Sequence, residues 1–313
     1  LDATTGTTDR TRLAIQGPGL PASVFVKTAA VDVATRLFGG MARLGEVEVG
    51  FYRDVRSGLD LAAPQLLGAT FDRTTGRFAV VLEDLTAQGA VFCDTLTELS
   101  ADQIADVLST LARLHGATHA DLPAHSWIAT NSADAFLPVM SAALPRLAAK
   151  VAQREPSLVV PEADRLLRTY KHWAASLDTG PQCLLHGDPH PGNVYLLPEG
   201  AGAGLLDWQA VRRGHPLRDA TYHLILSLTV PDRRKHERDL LAHYVAELEA
   251  NGGPIITAED AWQSYRRMAA YVYVATVFTS GLGGLQRAEI AAAGLGRAGA
   301  AVADLETHQA IPH

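Results

Sequence analysis

Disulfides are the first thing this chain cannot rely on, because its 313 residues contain only Cys93 and Cys183. Two thiols are too few for a disulfide framework, so a packed core must supply the stability, and a reducing compartment, the cytoplasm, is expected. Neither cysteine is read as a nucleophile. Long apolar runs are missing as well: none reaches the roughly 18 residues that a membrane-spanning helix needs. Positive charge is short, with 27 Lys and Arg against 34 Asp and Glu leaving a net charge of −7. That balance argues against a nucleic-acid partner, and the one short basic run, Arg233-Arg234-Lys235-His236, is read as the solvated start of a helix. No Gly-x-x-x-x-Gly-Lys occurs, which excludes a Walker-type phosphate loop, and there is no internal repeat. Two glycine clusters imitate a dinucleotide fingerprint and fail on context. Gly17-Pro18-Gly19 is followed by a strand where a helix is required, and Gly294-Leu295-Gly296-Arg297-Ala298-Gly299 is preceded by a helix-like Ala-rich segment where a strand is required.

What the chain does have is 47% hydrophobic residues, enough for a sizeable core, and a length that suggests about two domains. Its most informative stretch is Leu184-Leu185-His186-Gly187-Asp188-Pro189-His190-Pro191-Gly192-Asn193. After it, Val194 to Leu197 and Leu205-Leu206 flank a glycine-rich turn, the pattern of a short hairpin. Folded about Gly200, that hairpin sets Asn193 and Asp207 opposite one another at its open end. An amide oxygen and a carboxylate together suit a hard cation such as Mg²⁺. Asp188, on the loop entering the hairpin, is then placed to face a hydroxyl approaching a metal-bound phosphate, as a base or orienting group. The alternation of His186, Asp188 and His190 also admits a zinc cluster. Such a site usually takes more histidines than this segment offers, and Asn193 and Asp207 suit magnesium better. His190 taken alone is a loop-packing residue.

His-Gly-Asp-x-His-x-x-Asn followed by Asp207-Trp208-Gln209 resembles the catalytic and metal loops of the aminoglycoside phosphotransferase and choline kinase superfamily, relatives of the protein kinases. The resemblance spans nearly the whole chain. It implies that Asp188 is the catalytic aspartate, that Asn193 and Asp207 hold Mg²⁺, that His186 braces the loop, and that Asp219 supports it from behind. Gln209, together with Asp219-Ala220-Thr221-Tyr222, is most similar to the ecdysteroid-kinase-like branch.

The same resemblance organises the N-terminal part. Leu13 to Ile15 and Ser23 to Val26 read as two strands around the Gly17-Pro18-Gly19 turn, and the second runs into Lys27. In the kinase template a lysine at that place holds the nucleotide phosphates and is aimed by a helix glutamate. A helix is predicted from about Met41 to Arg56, and its Glu48-Val49-Gly50-Phe51-Tyr52 resembles the pattern of that branch, so Glu48 is the implied partner. Glu46 falls on another face. Gly6-Thr7-Thr8-Asp9-Arg10, ahead of the Leu13 strand, is read as a turn whose Gly6, Thr7 and Thr8 cover the phosphates, with an ordinary turn as the alternative. Phe78 to Leu82 reads as a buried strand leading into a hinge at Glu83-Asp84-Leu85, where adenine would bond to backbone.

The remainder reads as mostly helical. Ser100 to Gln103 has capping-box form, and Ile104, Val107, Leu108, Leu111 and Leu114 recur at helical spacing. Between Asp121 and Pro161 the pattern is broken by Pro123, Pro138 and Pro145, so a substrate-side insert is expected there. A helix from near Thr257 carries Trp262, Tyr265, Met268, Tyr271, Val272, Ala275 and Phe278, a stripe that reads as core and, where it meets the cleft, would suit a flat or apolar alcohol. Glu237, Asp239, Glu247 and Glu249 would serve a cationic acceptor or lie on a solvated face. The expected architecture is α+β and bilobal, with a small β-rich N-lobe at 1–85 and a larger, mainly helical C-lobe at 86–313. ATP and Mg²⁺ would sit between them, and the γ-phosphate would pass to a small-molecule hydroxyl acceptor. An aminoglycoside or choline-like amino alcohol is the alternative acceptor, and an inactive nucleotide-binding regulator is the alternative of another class.

Overall fold

A computed structural model describes residues 3–311 apart from 123, 135, 159, 161 and 162, with residues 3–5 as backbone only. Pro123 and Pro161 therefore lie outside the described residues. The N-terminal region is one antiparallel sheet of β1 (Ala3–Thr5), β2 (Thr8–Ala14), β3 (Ser23–Ala29), β4 (Leu66–Phe71) and β5 (Phe78–Glu83) in the order β1-β2-β3-β5-β4. β2 and β3 pair in a register that sets Arg10 directly across from Lys27. The Gly17-Pro18-Gly19 cluster is the turn between them, as its position ahead of a strand requires, and Gly19 has φ +73°.

Helices α1 (Val33–Met41) and α2 (Leu44–Gly50) lie against this sheet. The predicted helix over 41–56 is thus interrupted at its start, where Arg43 adopts a left-handed φ of 56°, and it ends in a π turn, Phe51–Val55, followed by a 3-10 turn, Arg56–Gly58. Glu46 pairs with Arg43 at 2.9 Å, on a different face from buried Glu48. A Cβ at Gly45 would come within 2.2 Å of the Phe78 ring, so only glycine lets α2 sit this close to β5.

Past β5 the chain is mainly helical: after a short β6 (Val91–Phe92) come α3 (Ala101–His119), α4 (Leu137–Arg154), α5 (Asp164–Arg168) and α6 (Tyr170–Trp173). Three short strands follow, β7 (Cys183–Leu185), β8 (Val194–Leu196) and β9 (Ala203–Leu205), then β10 (Arg212–Gly214) and the helices α7 (Leu217–Ser227), α8 (Val230–Ala250), α9 (Ala258–Leu282), α10 (Ala288–Asp304) and α11 (Thr307–Ala310). α3 opens with the reciprocal capping box between Ser100 and Gln103 and buries Ile104, Val107, Leu108, Leu111 and Leu114, as their spacing dictates. The Gly294 to Gly299 cluster lies inside α10, where Gly299 passes the Val160 side chain.

Two sequence expectations change here. Arg233 is no solvated helix residue: it is 1% exposed and pairs with Glu237 and Asp304, while Tyr265 donates to Glu237 at 2.9 Å. Burial of the apolar face of α8 carries Arg233 inward, and a buried guanidinium needs carboxylates around it. Glu237 is accordingly committed to that network. The α9 stripe is core through Tyr265, Met268, Val272 and Phe278. Trp262 faces Arg238, whose guanidinium carbon lies 3.8 Å from its ring.

Candidate active site

β7 ends at Leu185, and the loop after it carries His186, Gly187 and Asp188. Gly187 has φ +87°, and a Cβ there would lie 2.0 Å from the carbonyl oxygen of Ala210, so no other residue fits this turn. The buried Asp219 carboxylate, from the first turn of α7, accepts from the backbone N–H of His186 at 2.6 Å and of Gly187 at 3.1 Å. His115 Nε2 approaches the same carboxylate at 3.3 Å, and its Nδ1 lies 2.7 Å from the Tyr244 hydroxyl. Burial raises the pKa of Asp219, but His115, with His186 and Arg218, outweighs it and holds the carboxyl below the usual range.

His186 is fully buried, and burial pushes its pKa down, so the ring is neutral. Its Nε2–H donates to the Leu206 carbonyl at 2.7 Å, which leaves Nδ1 to accept from the N–H of Asp188 at 3.3 Å. The ring therefore ties the Asp188 loop to the end of the β8–β9 hairpin. Asp188 keeps 31% of its side chain exposed, and His190 Nε2 stands 3.8 Å from its Oδ2. His190 Nδ1 in turn accepts from the N–H of Gly192 at 3.0 Å, which caps the turn leading to Asn193. Burial pushes Asp188 above the ordinary carboxylate range, against the pull of His190, His186 and a hydrogen bond from Tyr222.

Asn193 Nδ2 donates to the Asp188 carbonyl at 2.9 Å, which turns the amide oxygen away from that contact. The hairpin register pairs Val194 with Leu205, so Asn193 stands against Leu206, whose N–H donates to its carbonyl at 2.8 Å. The expectation that Asn193 and Asp207 are directly opposite is thus one residue out. The reason lies in the turn, where Leu197 N–H donates to Gly202 O and closes an even loop rather than one centred on Gly200. Asp207 follows in the left-handed region, φ 61° and ψ 69°, a conformation costly for a non-glycine residue and met at functional sites. Trp208 anchors it by stacking on Phe51 of the π turn, centroids 3.9 Å apart and planes within 8°.

Lys27, 2% exposed, makes ion pairs with Glu48 at 2.8 Å and with Asp207 at 2.6 Å. Arg10 approaches the other Asp207 oxygen at 2.8 Å. Burial would raise Asp207, but Lys27 and then Arg10 hold it down to about 2. Burial raises Glu48 despite Lys27. Lys27, Glu48, Asn193, Asp207 and the hinge residues Glu83 and Leu85 line one cavity of about 480 Å³. Gly6, Thr7 and Thr8 are not brought into it. Gly6 and Thr7 form the β1–β2 turn, Thr7 exchanges hydrogen bonds with Gln209 at 3.2 to 3.3 Å, and Thr8 is buried. The residues that sequence reasoning missed are Arg10, which it took for part of a turn, and Tyr222, which it noted without a contact to Asp188. Neither gave a local signal, since the partner of each lies on another element.

Residues 48–271 match the Phosphotransferase enzyme family. The chain belongs to that family. It is a phosphotransferase that acts on a hydroxyl group, and its fold is the kinase-like one. Among solved structures, an ethanolamine kinase from Plasmodium vivax is similar with a TM-score of 0.56 at 9% identity, over 96% of this chain and 81% of that one. An aminoglycoside 2'-phosphotransferase-IIIa variant in complex with GDP is similar with a TM-score of 0.51 at 14% identity, over 96% and 91%. An aminoglycoside phosphotransferase from Streptomyces rimosus has a TM-score of 0.49 at 15% identity, over 86% and 91%. No curated protein sequence matches the chain. Among the described residues no helix is long and apolar enough to cross a membrane.

Proposed function

We propose that this phosphotransferase takes the γ-phosphate from ATP with Mg²⁺ and transfers it to a hydroxyl of an uncharged small molecule. The observation that carries the reading is the buried Lys27, held between Glu48 and Asp207 in the same cavity as Asn193 and the hinge residues. A fixed ammonium there binds phosphate oxygens without reorganising. Asn193 offers a free amide oxygen and Asp207 a firmly ionised carboxylate, a donor set that fits a hard cation. Bound there, Mg²⁺ would neutralise charge on the phosphates.

Asp188 then orients the acceptor hydroxyl and accepts its proton as the new O–P bond forms and the bond to the leaving ADP oxygen breaks. Its raised pKa makes it a better proton acceptor than an ordinary carboxylate. Residues 1–85 would form the nucleotide-binding unit and 86–313 the unit that carries Asp188 and the acceptor site. Two buried, unpaired cysteines suit a reducing cytoplasm.

The acceptor reading rests on the surroundings of His190 and Tyr222, the neighbours of Asp188, where Thr95, Thr276, Thr279 and Ser280 border a cavity of about 20 Å³, room for about one water in this conformation. None of its lining residues is a carboxylate. A polycationic aminoglycoside would need its ammonium groups paired on desolvation, so a neutral alcohol is favoured, in line with the ecdysteroid-kinase-like pattern at Asp207-Trp208-Gln209. The aromatic stripe of α9 packs in the core, as its spacing reads, and the hydroxyl-bearing C-terminal end of the helix borders this cavity. The test is a panel of neutral polyhydroxylated compounds, sterols, macrolides, aminoglycosides and amino alcohols, read by ATP-dependent gain of one phosphate in mass. Gain on neutral members is expected, and gain on aminoglycosides alone would refute the acceptor class. Asp207→Ala should abolish turnover and weaken metal-dependent nucleotide binding; full activity in that variant would refute the metal assignment.

A further inference from the structure

We infer that Arg10 is a second phosphate-binding cation, which pairs with Asp207 and passes to the phosphates of a bound nucleotide. This rests on the reading of the cavity as a nucleotide site. Arg10 and Lys27 are direct cross-strand partners on β2 and β3, so their side chains leave the same face of the sheet side by side. Both reach Asp207, one on each oxygen, at 2.8 and 2.6 Å. Their surroundings differ. Lys27 is 3% exposed and is also held by Glu48, whereas the Arg10 side chain is 34% exposed, and Asp207 is the one group it bonds among the described residues.

A guanidinium has five donors in a rigid fork, and a single contact to Asp207 leaves most of them facing the cavity that Arg10 lines. The β1–β2 turn lies above it: a Cβ placed on Gly6 would be 4.0 Å from Arg10 Nη2. The polar end of the cavity thus offers a buried point charge at Lys27 and a half-exposed, planar one at Arg10, the two kinds of cation that phosphate recognition combines. Asp207 cannot serve both cations and a metal with the same two oxygens. Arrival of a phosphate gives Arg10 another anion and frees an Asp207 oxygen, so the Asp207 contact holds the arginine ready rather than occupying it. Arg12 does not share the task, because Asp84 holds it at 2.8 Å and Thr86 accepts from it.

The test separates a phosphate contact from mere bracing of Asp207. Calorimetric affinities for ATP and for adenosine, in EDTA, are compared between Asp207→Asn and the double variant Arg10→Ala/Asp207→Asn, where Arg10 has no carboxylate left to brace. The expected result is ATP binding weakened roughly tenfold or more by loss of Arg10, with adenosine binding unchanged. Arg10→Lys should recover only part of the affinity, since the fork is lost. Equal ATP affinity with and without Arg10 overturns the assignment while leaving the nucleotide site intact. Failure of the unsubstituted protein to bind any nucleoside triphosphate overturns both. Should Asp207→Asn not fold, Asp207→Ser takes its place in the same comparison: a loss of ATP affinity alone on removing Arg10 supports the contact, and unchanged ATP binding refutes it.

Discussion

Asp188 and Asp207 are both carboxylates of one site, yet their surroundings drive them apart. Lys27 and Arg10 hold Asp207 at about 2, while burial raises Asp188. A permanently ionised group suits charge neutralisation, and a group with a raised pKa suits proton acceptance. Replacing Asp188 by Asn keeps the size and the contacts of the loop but removes the proton acceptor, so kcat should fall by about 10²-fold or more with nucleotide affinity retained. Parallel loss of nucleotide binding would show that the residue belongs to the other end of the site. The base must be ionised to act, so the acid limb of kcat/KM should lie above the 3.8 of an ordinary aspartate. Tyr222 donates to the ionised form and so lowers this pKa; Tyr222→Phe should move the limb to higher pH, and a limb that stays put or moves down would remove Tyr222 from the site.

Among the elements, the loop from His186 to Asn193 and the β8–β9 hairpin were legible in the sequence because their signals are local: apolar runs, a glycine-rich turn and a polar motif at fixed spacing. The hairpin register was not, since it depends on which N–H closes the turn at Leu197. The break before α2 was equally hidden, because a left-handed Arg43 leaves no mark in apolar periodicity. Long-range pairs were the least accessible. Arg10 meets Asp207 across 197 positions, and only the folded sheet reveals that its neighbour on the same face is Lys27. Gly187 is the element's most constrained point. Gly187→Ala combines a strained φ with a 2.0 Å approach to Ala210 O, and relief would pull the Gly187 N–H off Asp219 and move Asp188, the next residue, with it. Stability should drop by about 2 kcal/mol or more with turnover lost, read by urea unfolding and phosphate transfer. A fully active Gly187→Ala protein would mean that the loop bends elsewhere.

At the scale of the whole molecule, the helical part locks the site from below through buried imidazoles. His223, fully buried on α7, donates through Nδ1 to the Pro189 carbonyl at 2.9 Å, just beyond Asp188. His215 accepts at Nδ1 from Leu217 N–H at 3.2 Å at the start of the same helix. Burial lowers both to about 4, from 6.5. Below pH 6.5 the unfolded chain binds protons at these two rings that the folded chain refuses until about pH 4. Their contribution to stability is therefore complete above 6.5 and is lost as pH falls toward 4, at up to about 1.4 kcal/mol per pH unit for each ring. Ionised Asp207 adds nothing in that window, because its own loss begins only below 3.8. Unfolding free energy followed from pH 7 to pH 4 should thus decline through these two rings, while Asp188 and Glu48, which burial raises, oppose part of the fall because they bind protons more readily folded than unfolded. His223→Asn, which keeps a donor for the Pro189 carbonyl, should make that decline shallower. An unchanged slope in the variant would mean that His223 protonates in the folded protein without cost, and that the base of the Asp188 loop opens to water.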